Sequence, residues 1–352
     1  MQSRGVVALL VGAGADLQYL TGYRPHPSER MTLLVLRDDG RHQLIVPALE
    51  RPAAEAASPT VPIASFAEAE DPAVLVGEAL RGLDPTAPVG VGDQLWATFF
   101  LGILRVWPQA KWVPASVVTR HVRMVKDEQD IAKLRRAGAA IDAVHRQMTT
   151  LLRPNQTERQ VGESIDAAMR AAGHDRSDFV IVASGPNGAS PHHERSDRVI
   201  ADGDPVVVDI GGPVHGWYSD CTRNYVVGDA PQGYHDAFSV LQTAQEAAVA
   251  KAGPGVEARS VDAAARDIIT EAGYGDAFIH RTGHGIGLEV HEEPYITAEN
   301  DLVLVPGMTF SIEPGIYLQG RFGMRIEDIV VVTDDGAERL NTTATDVVTI
   351  PA

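Results

Sequence analysis

Residues 153–173, RPNQTERQVGESIDAAMRAAG, and residues 253–273, GPGVEARSVDAAARDIITEAG, align without a gap at an offset of one hundred. Pro154 meets Pro254, Arg159 meets Arg259, Val161 meets Val261, Ala172 meets Ala272 and Gly173 meets Gly273. Each copy reads as a turn followed by an amphipathic helix that a glycine ends, and strand-like segments follow both. A single recurrence is too little for a solenoid, which needs several stacked repeats. The pattern predicts a duplicated α+β half, with two helix pairs packed on a shared sheet and related by a pseudo-twofold. A ligand would then sit between the halves, where the sheet is most enclosed.

The duplication lies in the later part of a chain of 352 residues, a length that suggests about two domains. Upstream, short apolar runs (Val6–Val11, Met31–Leu36, Gln43–Val46, Val89–Val91) alternate with Ala-rich helical stretches, which is the pattern of an α/β domain. The segment RHVRMVKDEQD interrupts it, and Asp130–Leu152 then reads as one long amphipathic helix. The expected domains are therefore an α/β unit over 1–122 and an α+β unit over 123–352. The opening MQSRGVVALLVGAGADLQYL could pass for a signal peptide with an AGA cleavage site. Its apolar run is short and β-branched and Asp16 follows at once, so a buried first strand is the expectation. In the GAGA after that run, Leu17 stands where a dinucleotide-binding loop would carry its third glycine, so a plain turn is expected.

Composition narrows the partners. A formal charge of −17 argues against nucleic acid and anionic membranes, and no apolar run approaches the ~18 residues that span a bilayer. The one cysteine, Cys221, rules out an intrachain disulfide and fits a reducing cytoplasm.

The stretch HRTGHGIGLEVHEEP, His280 to Pro294, carries three histidines among glycines. Histidines four apart on a helix can chelate a metal ion, but Gly283, Gly285 and Gly287 disfavour a helix here. A glycine-rich loop leading into a short strand is the better reading. Acids recur inside other β-like runs of the same domain: Asp209 in VVVDIGG, Asp220 in GWYSDCTRNYVVG, Glu313 in MTFSIEPGIY and Glu327 in GMRIEDIVVV. Asp209 and Asp220 should face each other across a hairpin. Four carboxylates aimed into one core would repel unless cations neutralise them, and two divalent ions would balance all four.

At this point the chain resembles a family. HRTGHGIGLEVHE is similar to the signature of the proline-specific metallopeptidases, prolidase and aminopeptidase P, whose catalytic domain has the pita-bread fold, and YLTGY (Tyr19–Tyr23) is similar to a segment of their N-terminal domain. The resemblance implies a dinuclear site of Asp209, Asp220, His284, Glu313 and Glu327. It implies that Glu313 is also the general base, that His291 and His192 (in SPHHE) contact substrate and move protons, and that His280 and Tyr317 lie beside the site. Arg325, two residues before Glu327, is expected to pair with a metal-binding carboxylate. The oxygen-rich donor set favours Mn²⁺, with Co²⁺ or Zn²⁺ as alternatives. His193, His174 and His235 have no motif support and are expected to be ordinary surface or loop residues, and Cys221 a small core residue.

The substrates implied are proline-containing dipeptides or short peptides. A dipeptidase must hold a free C-terminal carboxylate, for which arginine is the natural partner, whereas an aminopeptidase leaves that end open. Prolidases of the family often carry an Arg just after HExP; here Tyr295 stands there, and no Arg or Lys occurs between Glu292 and Gly320. The short chain resembles bacterial prolidase-like dipeptidases overall, which implies an Xaa-Pro dipeptidase, with Arg30 in HPSERM as a candidate carboxylate-binding group. An Xaa-Pro aminopeptidase is the alternative, and a non-catalytic peptide-binding protein a distant one. The resemblance also implies a homodimer.

Overall fold

The structure, a computed structural model, describes residues 1–352 and divides into two compact units, Met1–Arg123 and Met124–Ala352. The first is built on a six-stranded sheet. Its order is Ile63–Phe66, Gln43–Pro47, Leu33–Arg37, Ala8–Gly12, Pro88–Val91 and Lys111–Pro114. Ala8–Gly12 is the buried first strand that its apolar run requires, pairing antiparallel with Leu33–Arg37 and parallel with Pro88–Val91. Its side chains alternate between two apolar layers, Ala8 and Leu10 on one face and Leu9 and Val11 on the other. GAGA is the turn that leads into the short helix Ala15–Thr21.

The second unit holds two helix pairs, Glu128–His145 with Glu158–Ala171 and Tyr234–Lys251 with Ala258–Glu271. The duplication persists down to individual hydrogen bonds. Thr157 bridges to Val199 as Glu257 does to Val303. The amides of Asn155 and Glu158 reach the carbonyls of Ile200 and Arg198, while those of Gly255 and Ala258 reach Leu304 and Leu302. Each pair closes its own apolar cluster, one around Val161, Ile165 and Val208, the other around Val261, Leu241 and Phe310. The helix expected to run to Leu152 stops at His145. Shorter-range bonds from Gln147 to Val144 and from Thr150 to Gln147 break its ladder, and a separate turn, Met148–Leu151, follows. Met148 and Leu152 still enter the same cluster as Val144, which is why the apolar spacing read as continuous.

A four-stranded sheet takes the order Val348–Ile350, Trp217–Val227, Pro205–Val214 and Phe179–Ser184. The five-stranded one runs Glu292–Ile296, Gly283–Gly285, Thr309–Ile312, Asp328–Val332 and Ala337–Arg339. A ribbon of Gly315–Leu318 and Phe322–Arg325 completes the set. In the hairpin formed by Pro205–Val214 and Trp217–Val227, Asp209 stands opposite Thr222, and Asp220 opposite Gly211. The two acids are thus diagonal neighbours on one face rather than directly opposed.

At Gly283 the central strand meets its neighbour so closely that a Cβ would lie 1.8 Å from the Ser311 carbonyl oxygen. Backbone cannot yield there, so Gly283→Ala is expected to destabilise this unit by roughly 3 kcal/mol or more. A urea-unfolding midpoint equal to that of the wild type would contradict this packing.

Candidate metal centre

Each half contributes acids to one buried space. The hairpin supplies Asp209 and Asp220; the second half supplies His284 from Gly283–Gly285, Glu313 just after Thr309–Ile312, and Glu327 between Phe322–Arg325 and Asp328–Val332. His284 Nε2 lies 3.1 Å from Glu313 Oε1 and 3.6 Å from Asp220 Oδ2. Asp220, His284 and Glu327 each offer a donor atom within 4.8 Å of the others. The Nδ1–H of His284 donates to the Gly285 carbonyl at 3.1 Å, which turns the Nε2 lone pair toward the carboxylates.

Three of the carboxylate oxygens tell what this space is for. Asp209 Oδ1, Asp220 Oδ1 and Glu327 Oε1 are buried without any hydrogen-bond partner, although buried polar atoms are almost always paired. Other oxygens of the cluster are held. Asp209 Oδ2 accepts from Arg325 Nη2 at 2.5 Å, Glu327 Oε2 accepts from the Thr222 hydroxyl at 2.8 Å, and Ser311 Oγ donates to Glu313 Oε1 at 3.0 Å. Burial, and then the neighbouring carboxylates, push Asp220 and Glu327 well above the usual carboxylate range. Protons or cations must therefore neutralise the cluster. The orphaned oxygens and an imidazole lone pair fit divalent cations, which hard oxygen donors hold well.

Around this cluster the polar groups form a continuous chain. Arg325 also donates to Thr222 Oγ1 at 3.0 Å and to the Tyr317 hydroxyl at 2.8 Å. Tyr317 lies 2.8 Å from His280 Nε2, and the His280 Nδ1–H donates to the Arg281 carbonyl at 2.7 Å. The ring of His291 stands 4.2 Å from that of His284. Partial burial, then the neighbouring His284 and Arg281, push His291 down to about 4. His192 is exposed and near enough for its charge to act on both His280 and His291. Arg30 belongs to the other unit, where its guanidinium is bonded to Glu68 at 3.0 and 3.1 Å and to Glu29.

Sequence reasoning missed the groups that tether the histidine loops. Glu158 is completely buried, and its two oxygens accept six hydrogen bonds: from the backbone and hydroxyl of Ser184, from Asn187, from the backbone and hydroxyl of Ser196, and from His193 at 2.7 Å. These bonds pin both ends of the loop that carries His192. His193 is thus a structural partner rather than a bystander. His174 is likewise buried, between Ser219 Oγ and the Met169 carbonyl, and not a surface residue. Asp262 plays the matching part in the second half. It accepts from the Thr282 hydroxyl at 2.6 Å and pairs with Arg266, which also donates to the His280 carbonyl. In sequence Glu158 looks like an ordinary first-turn acid behind a Thr157 cap. Only its burial distinguishes it.

Burial alone would raise Glu158, but the bonds from Ser196, Ser184 and His193 draw it down to about 2. A depressed carboxylate stabilises the fold above its unfolded value near 4.5 and loses that contribution as pH falls toward 2. Glu158→Gln should therefore cost on the order of 3 kcal/mol at neutral pH. The gap from wild type should shrink between about pH 4.5 and pH 2. Denaturant midpoints across that window would show a pH-independent gap if Glu158 were not held ionised.

Comparison with known proteins places these residues within recognised domains. Residues 132–334 match the model of metallopeptidase family M24, and residues 1–125 match the creatinase/prolidase N-terminal domain. The chain is 48% identical over 356 aligned residues to the probable dipeptidase PepE of Mycobacterium tuberculosis, covering 99% of this chain and 93% of that one. It is 34% identical to the Xaa-Pro dipeptidase of Lactobacillus delbrueckii subsp. lactis, with 100% and 97% covered. Among solved structures, the prolidase of Thermococcus sibiricus superposes with a TM-score of 0.94 at 36% identity, covering 99% of this chain and 96% of that one.

Proposed function

The chain belongs to metallopeptidase family M24, joined to a creatinase/prolidase N-terminal domain, and on that premise we propose that it is an Xaa-Pro dipeptidase. The observation that carries the reading is the set of orphaned oxygens on Asp209, Asp220 and Glu327 around the His284 lone pair. Similarity over nearly the whole length to Xaa-Pro dipeptidases at 34 and 35% identity supports the substrate class.

Asp209, Asp220, His284, Glu313 and Glu327 would hold two divalent cations, of which Mn²⁺ suits the donor set best and Co²⁺ or Zn²⁺ next. When bound, such a pair lowers the pKa of a water and polarises the scissile carbonyl. The protein's own groups do the rest. A bond preceding proline has a tertiary amide nitrogen, so the departing secondary amine must gain a proton as the bond breaks. Glu313, with Oε1 supported by Ser311, is the group proposed to take the attacking water's proton and pass it to that nitrogen. His291 and His192 are proposed to hold the developing oxyanion. Arg325 fixes the rotamer of Asp209 and, through Thr222, that of Glu327, while Tyr317 and His280 hold Arg325 in turn.

No helix is long and apolar enough to cross a membrane. A cytoplasmic location fits the lone buried thiol of Cys221, and we read the working form as a homodimer by analogy with the family.

Protein loaded with Mn²⁺ is expected to hydrolyse Ala-Pro, to leave Ala-Pro-Ala intact and to stop when a chelator is added. Cleavage of the tripeptide would instead assign an Xaa-Pro aminopeptidase. Asp220→Asn should lose most of the activity and much of the metal found by elemental analysis; full metal content and rate in that variant would remove the dinuclear assignment.

A further inference from the structure

The dipeptidase reading leaves one chemical requirement unmet, namely a cation for the free carboxylate of the substrate, since position 295 is a tyrosine. We propose that Arg281 binds that carboxylate, held in place by stacking on Tyr295. The inference rests on the dipeptidase reading.

The geometry begins with the strand pair. His284 stands directly opposite Tyr295 in the antiparallel register, so the two side chains project from the same face as close neighbours. The Arg281 guanidinium lies over the Tyr295 ring, 4.6 Å from its centroid. Arg281 is half-buried, and its charge also reaches His291, beside His284. An arginine stacked this way is immobilised through its face while its N–H edge stays available for a bidentate bond to a carboxylate.

The other candidate cations are already engaged. Arg325 is bonded to Asp209, Thr222 and Tyr317. Arg266 forks onto both oxygens of Asp262 and donates to two backbone carbonyls. Lys126 is paired with Glu292 at 2.6 Å, both side chains being almost fully buried. Arg30 has Glu68 and Glu29 in its own unit. By contrast, Arg281 pairs with no carboxylate; its guanidinium has only the tyrosine face. Tyr295 therefore replaces a charge in sequence and supplies the support for one in space.

Steady-state kinetics on Ala-Pro and its C-terminal amide, Ala-Pro-NH₂, separate the possibilities in the Mn²⁺-loaded enzyme. The wild type is expected to prefer the acid strongly. Arg281→Ala should lower kcat/KM for Ala-Pro by about 10- to 100-fold, the scale of a lost charge-assisted pair, chiefly through KM. Its kcat/KM for the amide should stay within about twofold of wild type, so that the preference collapses. Arg281→Lys should recover part of the preference and Tyr295→Leu should lose part of it; the two cover the case in which the alanine variant does not fold. A wild type that cleaves acid and amide equally well would remove the dipeptidase reading itself. A wild type that prefers the acid, with Arg281→Ala keeping that preference, would overturn only the role of Arg281. The same overturning follows if the preference is lost in Arg30→Ala while Arg281→Ala retains it.

Discussion

Everything in the catalytic unit is arranged around the repulsion of four acids confined to one buried space. Asp209, Asp220 and Glu327 each leave an oxygen without a partner inside the protein. An unpaired buried carboxylate is costly, and three together would ordinarily make a core collapse differently. Here the backbone is braced against that. Asp209 and Asp220 sit in strands ten and eleven residues long, Arg325 and Thr222 hold the second oxygens of Asp209 and Glu327, and Ser311 holds an oxygen of Glu313. The scaffold is thus stiff where the charge is worst balanced, which is what a preorganised site for positive ions requires.

The glycines answer to the same constraint. A side chain at Gly283, Gly285 or Gly287 would meet the Ser311 carbonyl, the Glu293 carbonyl or the Glu292 carboxylate. They let the histidine-bearing segment lie flat against its neighbours, so that His284 reaches inward while His291 stays at the edge. Glu292 in turn is neutralised by Lys126, from the segment that opens the second unit. A stretch that looks flexible in sequence is in fact among the most closely packed in the molecule.

Much of this was legible beforehand, and the reasons differ by residue. The duplicated helices could be read because both copies keep their turn, their apolar stripe and their terminal glycine at one offset. The acids stood out because carboxylates are rare inside Val- and Ile-rich strands. What stayed hidden depends on burial, which no local pattern encodes. Glu158 has the position of any helix-start acid, His193 follows a histidine with motif support and looked redundant, and His174 sits in a polar loop. The diagonal offset of Asp209 and Asp220 followed from the register, set by the two-residue turn at His215 and Gly216. The stacking of Arg281 on Tyr295 joins residues fourteen apart across a pairing that sequence does not reveal.

The proposed ligands come from both halves: Asp209 and Asp220 from the first, His284, Glu313 and Glu327 from the second. Neither half carries the whole set, and the two halves already meet through a shared apolar cluster of Leu134, Trp217, Ile286, Ile329 and Val331 and through the buried Arg223–Asp328 pair. Bound cations would therefore add a rivet to a seam that apolar packing and ion pairing already close. Ions that bind the assembled state and not the open one shift the balance by mass action. The persistence of the folded chain would then rise with the supply of divalent metal around it, so that the enzyme's lifetime as well as its rate would report that supply.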